Sequence, residues 1–222
     1  MIDRLSIVCG TGVRLNACNG HLNWPKRGVY FFMEDGEDRS ESGNGPRIVR
    51  VGTHALRTGS STSLWARLSQ HRGPQSSGGG NHRGSIFRLL VGTALAARDG
   101  DHCPTWDDRR SVASPEVRAA ELEMERKVSA AIGTMSLLWL AVDDDPAPQS
   151  ARGDIERNAI ALLSNLGKAP LDPPSASWLG HHCDRERVRG SGLWNNNHVD
   201  EKYDPAFLER MNTLLLAVEA RT

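Results

Sequence analysis

Residues 28–53 read GVYFFMEDGEDRSESGNGPRIVRVGT, two strand-like runs joined by a turn-rich connector. The first, residues 28–33, is β-branched and aromatic and ends in the acidic turn 34–38. Residues 40–46 are a Ser/Gly/Asn loop. The second run, residues 47–53, alternates basic and apolar side chains, the pattern of a strand with one solvated face. Together they predict a hairpin whose loop is too long for a two-residue turn. Outward from it, residues 63–71 (SLWARLSQH) predict a helix with Leu64 and Leu68 on its inner face. The glycine- and serine-rich stretch 73–85 predicts a mobile loop. Helices are expected over 86–98 and 115–132. The apolar run 135–142 (MSLLWLAV) predicts a buried central strand. A helix follows over 154–165 with Asp154 as its N-cap, and an amphipathic helix over 205–220 closes the chain. Near the start, a short strand over 5–8 and a turn at 10–12 are expected. The fold class is α/β (α+β): a small, mostly antiparallel sheet flanked by helices, forming a single domain over 1–222.

With 38% hydrophobic and 24% charged residues, the composition is that of a soluble globular protein. No apolar run approaches the ~18 residues of a membrane span, so no membrane partner is expected. The start of the chain has no long apolar segment of a secretory signal. Cys9, Cys18, Cys103 and Cys183 are scattered and imply no disulfide framework, which points to the reducing cytoplasm.

The net charge is zero, which taken alone argues weakly against a nucleic-acid partner. The distribution argues otherwise. Residues 46–98 hold eight arginines and no Asp or Glu, leaving −8 on the remainder. Normal solvated surfaces mix both signs, and arginine's planar fork grips phosphate through parallel hydrogen bonds. Arg57, Arg72, Asn81, His82, Arg83 and Arg88 are therefore expected to contact DNA. The segment 78–88 (GGGNHRGSIFR) lacks the Gly-Lys-Ser/Thr ending of a nucleotide-binding loop. His181, His182 and Cys183, and separately Cys9, Cys18 and His21, lack the paired spacing of a closed zinc site. Residues 191–199 (SGLWNNNHV) are dense in amides that can read adenine edges, although a turn with local side-chain to backbone bonds is the plainer expectation.

Gly28-Val29-Tyr30, Arg50-Val51-Gly52, Arg67 with His71, and Glu156 on a helix after a buried strand stand in this order along the chain. The set resembles the GIY-YIG nuclease superfamily over about residues 25–165, with 166–222 as a C-terminal elaboration. Arginine at position 50 replaces the family's second tyrosine. The family's late asparagine is assigned to Asn165, with Asn158 as the alternative.

The resemblance implies a metal-dependent DNA endonuclease that hydrolyses phosphodiester bonds. Tyr30 would orient or deprotonate water, with nearby cations favouring its phenolate. Arg67 would stabilise charge on the phosphate. His71, one turn further on, would relay a proton. Arg50 would be a cation near the water or the scissile phosphate. Glu156 would hold Mg²⁺ or Mn²⁺, a hard ion that keeps several waters. The elaborations suit a restriction-type or mobile-element enzyme, and cutting both strands from one site favours a homodimer. The alternative is a non-catalytic nucleic-acid-binding protein on a degenerate GIY-YIG fold.

Overall fold

The computed structural model describes residues 2–9, 12–108 and 112–219. The turn expected at 10–12 therefore lies largely outside the described residues. Four strands, β1 (Val13–Arg14), β2 (Gly28–Asp38), β3 (Pro46–Gly52) and β4 (Ser136–Ala141), form one antiparallel sheet in the order β1-β4-β2-β3. The hairpin of β2 and β3 and the central strand over 135–142 are thus both present.

The sheet is buried on both faces. Tyr30, Phe32, Val49 and Leu137 pack with Leu64 and Leu68 of α2 (Leu64–Arg72), with α3 (Ile86–Asp99) and with α4 (Pro115–Thr134). Val29, Phe31, Ile48, Val51, Leu138 and Leu140 pack on the other side against α5 (Ala151–Leu163) and against Phe207, Met211 and Leu215 of the last helix, Ala206–Glu219. The solvated face expected for β3 is absent, because the first of these layers covers its arginines. Arg47 and Arg50 are 2% and 5% exposed, and each cation lies over an aromatic ring, Trp178 and Phe87 respectively. The β2–β3 register shifts between Phe32 (opposite Arg50) and Met33 (opposite Ile48), leaving Val49 as an extra residue. Such a bulge re-aims side chains.

Two local expectations are corrected. Residues 5–8 belong to a helix, α1 (Ile2–Cys9); so short an apolar run does not separate the two periods, and Leu5 is buried from a helix. The helix carrying Glu156 begins at Ala151, capped by Ser150, whose side chain accepts from the Gly153 N–H at 3.2 Å. Asp154 lies inside it and pairs with Arg210 at 2.7 Å. Glu156 is therefore past the first turn, where the helix dipole has little hold on it.

The edge of β3 is not left open. The Trp194 N–H donates to the Val49 carbonyl at 2.7 Å. The Asn195 side chain accepts from the Val51 N–H at 3.1 Å and donates to the Val51 carbonyl at 2.8 Å. One carboxamide thus supplies the donor and acceptor that a neighbouring strand would provide.

Candidate active site

Tyr30, near the start of β2, faces Gly52 on β3 and Trp139 on β4. Its ring fills the space that a Cβ at Gly52 would need, which gives the glycine of the second tripeptide a steric reason. Gly52→Ala is expected to push the phenol aside and slow any reaction that depends on it by about a hundredfold, the usual cost of ~1 Å of misplacement. Unchanged turnover in a folded variant, judged by circular dichroism beside the rate, would count against that role.

The Tyr30 hydroxyl lies 2.8 Å from His71 Nε2, and His71 Nδ1 lies 2.8 Å from Ser85 Oγ. Ser85 is also the N-cap of α3 and accepts from the Arg88 N–H. Burial holds the His71 imidazole's pKa well below its usual value, helped by the charges of Arg67, Arg50 and Arg88. The ring is therefore neutral at pH 7. With Nδ1–H donating to Ser85, Nε2 is left to accept from Tyr30.

Arg50 donates to the Trp194 carbonyl, and its charge sits 4.6 Å above the Phe87 ring. Burial pulls the guanidinium's pKa down, while Tyr30 and Glu156 beside it pull the other way. Burial raises the Glu156 carboxyl's pKa, and Arg50, the Thr53 N–H, His198 and Arg67 oppose the rise. The Thr53 N–H donates to Glu156 Oε1 at 3.1 Å. Arg67 remains half-exposed and donates to Gln70 and to the Gly84 carbonyl at 3.0 and 3.1 Å.

These side chains share one cleft of about 420 Å³, lined by Tyr30, Arg50, Thr53, Leu56, Arg67, Ile86, Glu156, Ile160 and the run Asn195–His198. His71 stands behind Tyr30, wholly buried. Asn165 is not among the lining residues: its amide donates to the Asp172 carbonyl and accepts from the Leu171 N–H. Asn158 is likewise spent on Asp154 and the Asp204 N–H. The amides in the cleft come instead from 195–197, outside the 25–165 stretch. The run WNNNH was their only trace in the sequence; Ser85 and Thr53 left none.

Most of the expected DNA contacts are turned inward. Arg83 pairs with Glu121 at 2.5 and 2.8 Å. Arg88, fully buried, pairs with Glu125 at 2.9 and 2.5 Å and donates to the His71 carbonyl at 2.8 Å. His82 is fully buried, stacks on Trp106 and meets Glu125 at 2.9 Å. Arg72 lies over Trp65 and donates to the Cys18 carbonyl. Asn81 caps the turn before α3 by accepting from the Arg83 N–H. The acids missing from 46–98 are supplied across the fold, mainly by α4. Arg57 stays exposed, in a groove of about 690 Å³ that shares Thr53, Leu56 and Arg67 with the cleft.

Among the described residues no three His, Cys, Asp or Glu side chains converge as a metal cage. The donor set fits a different kind of ion. Glu156 offers one carboxylate oxygen that accepts no hydrogen bond among the described residues, suited to a hard cation held mostly by water and substrate oxygens.

No helix among the described residues is long and apolar enough to cross a membrane. No curated protein and no solved structure matches the chain. A family model described as the GIY-YIG domain matches residues 1–221. Tyr30, Arg50, Arg67 and Glu156 thus meet in one cleft, with His71 bonded behind Tyr30, on a chain matched almost end to end, and the protein belongs to the GIY-YIG family.

Proposed function

We propose that the cleft hydrolyses phosphodiester bonds of DNA with one divalent ion, Mg²⁺ or Mn²⁺, held by Glu156. Membership in the family implies nuclease activity. The observation that carries the finer reading is the Tyr30–His71 hydrogen bond of 2.8 Å at the floor of a cleft that also holds Arg50, Arg67 and Glu156. The bound ion supplies Lewis acidity toward the phosphate oxygens.

The chain's own groups do the rest. The phenolic oxygen of Tyr30 takes the proton of the attacking water as its own passes to His71 Nε2. Ser85 keeps the imidazole in the tautomer that can accept it. Arg50, buried beside Tyr30, supplies a fixed positive charge at the cleft floor. Arg67 is close enough to the solvent side of the cleft to donate to the non-bridging oxygens as charge builds there. Arg50 in place of a second tyrosine does not favour the non-catalytic alternative, because its cation lies among the reacting groups.

The test is supercoiled plasmid in Mg²⁺ or Mn²⁺, with wild type beside Arg67→Ala. The expected result is nicking by wild type, arrest by chelation, and a loss of about 10²–10³ in rate in the variant. Salt-sensitive DNA binding with no metal-dependent cutting would replace this reading by the binding-protein one.

A further inference from the structure

Asn195, Asn196 and Asn197 look alike in sequence but do different work in the fold. Asn195 spends both ends of its amide on Val51. Among the described residues, the side chains of Asn196 and Asn197 make no hydrogen bond, although both line the catalytic cleft. The plain expectation of a turn closed by local side-chain bonds therefore fails at these two positions. Their backbone is nevertheless held firmly. Trp194 and Asn195 are paired to β3, and Arg187 Nε donates to the Asn196 carbonyl at 2.7 Å. His198 sits at φ 63°, a left-handed conformation unfavourable for a residue with a Cβ, and its Nδ1 lies 2.8 Å from Glu201.

A fixed backbone that presents two uncommitted carboxamides to a reaction cleft is preorganised for a ligand, because little ordering remains to be done on binding. The charge in the cleft, on Arg50 and Arg67, already suits phosphate. A neutral amide offers something else: an adjacent donor and acceptor, the complement of a nucleobase edge, best matched by adenine. Resting on the DNA-cleaving reading above, we infer that Asn196 and Asn197 read the edge of a base next to the scissile phosphate and so set where this chain cuts.

The test uses binding, so that it does not depend on turnover. A pool of random-sequence duplex and single-stranded DNA is bound to the Tyr30→Phe chain and to the same chain carrying Asn196→Ala and Asn197→Ala, and the bound fraction is sequenced. The Tyr30→Phe chain should enrich adenine at one or two fixed positions, and the amide variants should lose about tenfold of that enrichment. Their melting temperature should stay unchanged, because neither side chain has a hydrogen-bond partner among the described residues. Three outcomes would overturn the inference: enrichment that survives the substitutions, absence of preference in either chain, or weaker binding that is uniform across sequences, the mark of a backbone contact. Failure of either chain to hold DNA overturns it together with the DNA reading. Failure of wild type to cut DNA that it binds selectively would overturn the nuclease reading and, with it, the role of these amides in placing the cut.

Discussion

Tyr30→Phe is expected to slow plasmid nicking by about 10²–10⁴-fold, the range for losing a positioned general base, while the chain remains folded. Phenylalanine keeps the ring that fills the space over Gly52 and packs edge-on to Phe32. What disappears is one oxygen and its 2.8 Å bond to His71. His71 is wholly buried and has no direct route to a water in the cleft, so it cannot replace the phenol. Measured beside an unfolding curve, a rate within threefold of wild type would remove Tyr30 from the reaction.

A second large effect is expected far from the cleft mouth. Glu125→Ala should cost about 3–5 kcal/mol of stability, the usual result of stripping one partner from a buried ion pair. The Glu125 carboxylate is 4% exposed as a residue. It accepts from Arg88 Nε and Nη2, from the His82 N–H at 2.6 Å and from His82 Nδ1. Burial pushes its pKa up, but the hydrogen bonds from His82 and the charge of Arg88 more than offset this and hold it below the usual carboxylate value. Removing the carboxylate leaves the fully buried Arg88 cation without a counter-charge. Arg88 also donates to the His71 carbonyl, so activity should fall with stability. Pairing Glu125→Leu with Arg88→Met removes both charges together and should recover most of the loss. A drop below about 1 kcal/mol in urea unfolding of Glu125→Ala would show the pair to be dispensable.

The elements of the catalytic core were legible because each has a local cause. Apolar runs made β2 and β4, and Leu64 and Leu68 marked the inner face of α2. Tyr30, Arg50, Arg67 and Glu156 could be picked from short patterns on those elements, and the fold brings them to one cleft. What was not legible depends on partners distant in the chain. Nothing near Arg83 or Arg88 reveals that Glu121 and Glu125, 38 and 37 residues later, neutralise them. A run of arginines without acids therefore reads the same whether it faces phosphate or the middle of the protein. Asn165 was the candidate for the family's late asparagine, although spacing did not decide between it and Asn158, and its carboxamide belongs to the loop at Leu171 and Asp172. The amides that do reach the cleft are aligned by a pairing across 144 residues, which no spacing rule anticipates.

That long pairing has a consequence for how the protein comes into being. During synthesis, β2 and β3 emerge before β4 and the helix with Glu156, but the strand that Asn195 imitates is missing until 144 further residues have followed Val51. Until then the outer edge of β3 presents bare N–H and C=O groups, and the cleft lacks one wall. The same docking event closes the edge against other chains and completes the cleft wall, so a product that stops short of residue 195 has both an open strand edge and an unfinished cleft. Aggregation risk and the shape of the cleft are thus governed by a single step of folding.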